Sequence, residues 1–139
     1  METDIYVTYN IGALAAARMI AAGADAARQR GLSLSLVVVD AAGQLVQASR
    51  MDGATLLSLE IARRKAFTAA MARADTDSVR AFVNSDEGSR ITMPSLPDFS
   101  MISGGLPIVV DGHYAGALGA SGATAELDLE IAHAALAGI

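Results

Sequence analysis

Between Ser103 and Thr124 the chain carries a glycine-punctuated run that fits a β-hairpin. Ile108 to Val110 is β-branched or extended-favouring. Asp111-Gly112 is the dipeptide suited to a two-residue type I′ turn, where both central residues need positive φ, and Tyr114 to Ala120 returns as the partner strand. A second hairpin lies upstream, with Leu34 to Asp40 and Gln44 to Met51 joined through Ala41-Ala42-Gly43. Its Val37-Val38-Val39 run is apolar without alternation, which predicts burial on both faces and therefore helices on both sides of the sheet.

The helical patterns supply those layers. Asn10 to Arg30 places Ile11, Leu14, Ala15, Arg18 and Ala22 at three- and four-residue steps, with Gly31 as a left-handed stop. Leu56 to Arg73 places Leu57, Ile61, Lys65 and Thr68 on one stripe, with Ala62, Ala66 and Ala69 beside it. A short helix is predicted over Asp77 to Asn84, followed by a polar loop through Arg90, and Pro94 and Pro97 exclude regular helix beyond it. Thr124 is the predicted N-cap of a last helix whose inward stripe is Leu127, Ile131 and Ala134 or Ala135, with Glu126 and Asp128 in its first turn. Phe99 to Ile102 reads as a short fifth strand entering Gly104-Gly105, which is expected to bend into a central strand. The fold class is α+β: one domain over residues 1–139, with a five-stranded antiparallel sheet covered by helices on both faces.

Composition narrows the function classes. The net charge is −5 and the basic residues are scattered, so the basic patch that nucleic-acid binding needs is missing. There are no cysteines, which excludes disulfides, thiolate metal sites and a cysteine nucleophile and suits a reducing cytoplasm. No apolar run reaches the ~18 residues of a membrane span, so no membrane partner is expected. Apolar residues are 53% of the chain but aromatic ones only 4%, so the core is built from small side chains. A mean hydropathy of +0.40 predicts that a second subunit covers apolar surface in a homo-oligomer.

Four segments carry a family resemblance. Arg50-Met51-Asp52-Gly53-Ala54, Glu60 to Ala69, Gly104-Gly105-Leu106-Pro107 and Asp111 to Gly122 together resemble the GlcG/HbpS-like family, which includes the C-terminal domain of PduO-type proteins. The resemblance runs from about Leu34 to Ile139. It implies a profilin-like α-β-α sandwich assembled as dimers to octamers, and haem or corrinoid association in some members. Haem binders of the family draw on histidine or threonine ligands, including a histidine in the first helix. That helix has none here; the histidines are His113 and His133, and Met19 is a core residue by its pattern.

Arg50, Asp52, Glu60 and Lys65 form the main polar constellation. If they converge, Arg50 and Lys65 hold a carboxylate and Glu60 or Asp52 acts as general base; otherwise they are an ion-pair network with Asp52 as a cap, and Lys65 snorkels from a core edge. Gly104 and Gly105 offer unshielded backbone amides, and with Thr68 and Met93 they are the ligand-contact candidates. Their pocket is expected between the second helix, the Met93 to Gly105 loop and a neighbouring subunit. The series Gly116-x-x-Gly119-x-x-Gly122 could cradle an anion, but its antiparallel setting and the acids after it favour close packing of the last helix. Ser103 and Ser121 have no evident histidine base, and the acidic clusters lack metal-site spacing. The expectation is an oligomeric binding protein for haem or a small carboxylated metabolite. The alternative is a cofactor-independent lyase, isomerase or hydrolase acting on such a metabolite.

Overall fold

The structure is a computed structural model and describes residues 2–139. Helix α1 (Ala13–Gln29) leads into the hairpin β1 (Ser35–Asp40) and β2 (Leu45–Arg50). Helices α2 (Leu56–Ala72), α3 (Thr76–Asn84) and α4 (Glu87–Thr92) follow, then the hairpin β3 (Gly105–Val110) and β4 (His113–Ser121), and finally α5 (Ala125–Leu136). The described residues form one four-stranded antiparallel sheet in the order β2-β1-β4-β3. Both hairpins lie where the turn chemistry puts them, and Asp111 (φ 52°) and Gly112 (φ 78°) take the two positive φ values of the type I′ turn.

The valine run organises the layers. Leu36 and Val38 face α1 and α5 together with Leu118 and Ile108, whereas Val37 and Val39 face α2 with Ala117. The two sides differ in depth. The α1/α5 side is filled by Met19, Ile20, Leu34 and Ile131, but the α2 side meets the sheet through Ala62, Ala66, Ala69 and Ala70. Gly105 and Gly119 are cross-strand partners, and both open that face to α2. A Cβ on Gly105 would come within 2.5 Å of the Lys65 carbonyl oxygen, and one on Gly119 would overlap the Ala62 carbonyl oxygen. Of the glycine series, then, Gly119 seats α2, while Gly116 closes on Val39 and Asp40 of β1 and Gly122 on Ser33 and Leu34 just before it, and the nearest atoms at all three belong to elements other than the last helix.

The fifth strand is absent. Over Phe99 to Ile102 the backbone is held by side chains: Ser100 N donates to Thr68 Oγ1, Arg80 donates to the Met101 carbonyl and Thr76 Oγ1 to the Ile102 carbonyl. A segment so occupied has no ladder to join. Gly104-Gly105 consequently opens an edge strand, β3, and not a central one. The inward helix faces also differ from the apolar periodicity. Leu14 is 80% exposed and Leu57 69%, while α1 buries Ala16, Met19, Ile20, Gly23 and Ala27. Gly23 fits between Leu36 and Ala135, with no room for a Cβ. Close approach, which alanine and glycine allow, selects these faces over bulk hydrophobicity.

Gly119→Ala should therefore lower stability by roughly 2–3 kcal/mol, through overpacking against α2. Gly12→Ala, at the N-cap of α1 with open space around it, should cost no more than about 1 kcal/mol, the difference between glycine and alanine as a cap. Urea unfolding midpoints compare the two; equal effects would contradict the seating of α2 on the sheet backbone.

Candidate functional site

Lys65 is the single lysine of a chain that otherwise uses arginine for positive charge, and it is fully buried. Its Nζ donates to Asp128 Oδ2 at 2.9 Å and to the Ala120 carbonyl at 2.8 Å. Asp128, 3% exposed, accepts from Ala123 N through its other oxygen at 2.9 Å. The pair joins α2 on one face of the sheet to α5 on the other, past the end of β4. Gly104 makes room for it: with φ at +123°, a Cβ there would meet the Ala120 carbonyl oxygen at 2.6 Å and Lys65 Nζ at 3.0 Å. Burial pulls the Lys65 amine below the usual lysine range, while its hydrogen bond and charge interaction with Asp128 act in the opposite direction.

Above this pair lies a cleft of about 310 Å³, lined by Thr55, Leu57, Ser58, Ile61, Ile102, Ser121 and Ala125 as well as Lys65 and Asp128. Helices α2 and α5 both begin at it. Thr55 Oγ1 accepts from Ser58 N and Thr124 Oγ1 from Leu127 N, leaving the amides of each helix's first residues open. The positive ends of two helix dipoles thus adjoin one cleft above a mutually neutralised ion pair, and it is the dipole ends that favour a carboxylate or phosphate there.

The structure does not assemble the four-residue constellation. Arg50 and Asp52 line a separate, wider cleft of about 560 Å³ with Arg28, Ser33 and Ser49, and Arg50 donates to the Ala54 carbonyl. Glu60 is held by Arg63 and Arg64, and Arg63 also binds Asp98. The hydrogen bonds from Arg63 and Arg64 lower Glu60 to about 2, which makes it a poor proton acceptor at neutral pH. Lys65 does not snorkel, because its head group is deeper than its stem's helix surface and paired there. Among the ligand-contact candidates, Gly104 abuts Lys65 and Gly105 seats α2. Thr68 is buried, bonding the Arg64 carbonyl and Ser100 N, and Met93 lies half-buried in a turn of 3-10 helix; neither lines the cleft.

Asp128 and Thr76 are the residues that periodicity misses. Asp128 sits where a first-turn acid normally faces solvent, and Thr76, whose Oγ1 accepts from Gly105 N and donates to the Ile102 carbonyl, positions the cleft's outer strand of chain. The signal available for the first was the solitary lysine, whose burial demands a carboxylate partner.

An α+β sandwich with a polar pair enclosed between its layers defines the class, and the comparisons place the chain within it. Residues 11–137 match the family described as haem degrading protein HbpS-like, and the chain belongs to that family. Protein GlcG of Escherichia coli is 38% identical over 121 residues, covering 87% of this chain and 85% of GlcG. Klebsiella pneumoniae ORFY matches with a TM-score of 0.88 at 28% identity, over 99% of this chain and 96% of that one. The haem complex of PduOC matches with 0.85 at 27% identity, over 94% and 95%.

Haem requires an axial donor beside an apolar wall. His133 is exposed on α5. His113 lines a second groove, of about 340 Å³, with Ile11, Ala15, Ala115, Arg18 and Tyr9, and its ring stacks on Tyr9 at 3.9 Å. The imidazole, the apolar wall and the guanidinium suit the iron, the ring and a propionate respectively.

Lys65→Met should destabilise the fold by about 3–5 kcal/mol because Asp128 is left buried and unpaired. Adding Asp128→Leu should recover part of that loss; a double variant no better than the single one would contradict the pairing. Glu60, depressed in the folded state, adds stability that is present above its ordinary value of 4.5 and fades as pH falls toward 2. The side chains are 37–45% exposed, so the difference between wild type and Glu60→Gln should be only about 0.5 kcal/mol at pH 6. Thermal melts from pH 6 down to 2.5 should show the two proteins converging.

Proposed function

We propose that the protein binds a small carboxylated metabolite in the Lys65 cleft. The observation that carries this reading is the convergence of two helix N-termini above the buried Lys65–Asp128 pair. Asp128 is neutralised by Lys65 and does not oppose an incoming anion as an exposed acid would. Thr55 and Ser121 border the same space and add hydroxyls that can accept or donate.

The protein works as a homo-oligomer of the profilin-like sandwich. Leu57 and Ile102 line the cleft yet are 69% and 48% exposed, which is consistent with a neighbouring subunit completing its mouth. A second reading, haem binding, is favoured by the His113 groove and by the family's haem-complexed member. His113 would supply the axial nitrogen, and Arg18 would hold a propionate.

Succinate at millimolar concentration should raise the melting temperature of the wild type and not of Ala125→Trp, where the indole obstructs the cleft from an exposed position. No shift in the wild type, or an equal shift in both, would sink the assignment. Light scattering after size exclusion should give a multiple of 14.2 kDa; a monomer at micromolar concentration would remove the subunit from the cleft. Haemin should produce a saturable Soret shift that His113→Ala abolishes, and a shift unchanged in that variant would move the ligand elsewhere.

A further inference from the structure

We infer that residues 4–9, ahead of α1, pair with the free edge of β2 in a second copy of this chain, which returns its own segment in exchange. The segment reads Asp-Ile-Tyr-Val-Thr-Tyr, a β-branched and aromatic run behind one acid. Ile5, Tyr6 and Val7 are 82%, 85% and 77% exposed, a contiguous apolar surface that a folded domain rarely leaves to water. Its backbone is unpaired as well: among the described residues the first main-chain hydrogen bond runs from Ile11 N to the Ala115 carbonyl. Asn10 Oδ1, which accepts from Ala41 N, and Tyr9, stacked on His113, fix the root of the segment at the turn end of the sheet. An unpaired strand-forming segment is met best by an unpaired sheet edge. β3 is a poor one, since Thr76 Oγ1 takes the Gly105 N–H and Pro107 has no N–H to give. On β2, among the described residues, the backbone of residues 45–49 is hydrogen-bonded by β1 alone.

Register follows from the pleat and from charge. Met51 N donates to the Leu34 carbonyl, so residues 49 and 47 face β1, and residues 48 and 50 turn their N–H and C=O groups outward. Antiparallel addition with Asp4 opposite Arg50 bonds Asp4 and Tyr6 to Arg50 and Ala48 through the backbone, and lays Ile5 beside Ser49 and Val7 beside Gln47. Ser49 and Gln47 pair with Leu36 and Val38, so Ile5 and Val7 extend the apolar layer under α1. The cleft of about 560 Å³ at that end of β2 includes Ala24, Leu32 and Met51 in its wall, and Ile5 fills it. Arg28 there is shared with Asp25. Arg50 bonds only the Ala54 carbonyl among the described residues, and Asp52, which also lines the cleft, makes no ion pair with it; Asp4 is the carboxylate that completes Arg50. Ile5, Tyr6 and Val7 present roughly 500 Å² of surface. Counting both segments and both receiving edges, the exchange buries on the order of 2,000 Å², the size of a specific interface.

The test is disulfide trapping, which a chain without cysteine makes unambiguous. Positions 7 and 47 form a non-hydrogen-bonded pair in this register, with a Cα separation that a disulfide spans. The full-length double variant Val7→Cys, Gln47→Cys is purified reduced, oxidised with glutathione disulfide, sized without reductant and mapped by mass spectrometry. The expected product is a covalent dimer joined between positions 7 and 47, about tenfold more abundant than links between like positions. Adding Asp4→Arg should cut its yield about fivefold, through repulsion from Arg50. A bond between 7 and 47 closed within one chain would place the segment on its own β2 and overturn the exchange. Links between like positions in equal or greater amount, or no link, would overturn it too. The inference rests on the oligomer proposed above and is independent of the Lys65 cleft. If light scattering gives an oligomer without the trapped bond, the oligomer stands and the exchange falls; a monomer removes both.

Discussion

The Lys65–Asp128 ion pair is the interaction on which the arrangement of the molecule turns. Among the described residues it is the one contact of opposite charges enclosed by the fold, and it links helices that lie on opposite faces of the sheet. A buried pair of this kind adds little net stability, because desolvating both ions offsets most of their attraction. What it does is restrict: α2 and α5 can pack on the sheet only in registers that bring these two side chains together. Ala120, Ala123 and Gly104 complete the enclosure, each through its backbone.

That enclosure depends on depth. α2 approaches the sheet closely because Gly105 and Gly119 lie opposite each other beneath it and its own facing residues are alanines. A larger residue at either glycine would lift the helix, draw Lys65 back from Asp128 and open the cleft floor. The small-residue composition is thus a condition for the site: it sets the interlayer distance that the lysine stem has to bridge. The surface ion pairs have a different task. Arg63 and Arg64 hold Glu60 at the surface and Arg63 reaches Asp98, tethering the loop that leads to Ile102 at the cleft's rim.

Much of the scaffold was legible in the residues. The two hairpins, the caps at Thr124 and Gly31, and burial of the valine run on both sides follow from local turn chemistry and from alternation. The helix faces were legible in part: Ala62, Lys65, Ala66, Thr68 and Ala69 of α2 and Ile131 and Ala135 of α5 are buried as their stripes suggest, but the alanine-rich α1 gives little contrast between sides, and Leu14 and Leu57 mark the exposed side. Phe99 to Ile102 looks like a strand by composition, but Thr68, Thr76 and Arg80 claim its backbone groups. For the site, the sequence singled out Lys65 and Gly104 but joined Lys65 to Arg50, Asp52 and Glu60, its neighbours along the chain. The actual partner lies 63 residues away, on an element whose pattern suggests a solvent-facing acid.

By itself the sequence determined the two hairpins and the helices α1, α2, α3 and α5, though not α4, which falls where a polar loop is expected, and that the sheet must be covered on both faces. These are consequences of backbone preferences and of hydrophobic alternation, which act over a few residues. Only the tertiary structure decided which carboxylate neutralises the lone lysine, that two helix N-termini share its cleft, and that the sheet stops at four strands. Each of those depends on distances between elements remote in sequence, fixed by how closely glycine and alanine let the layers approach.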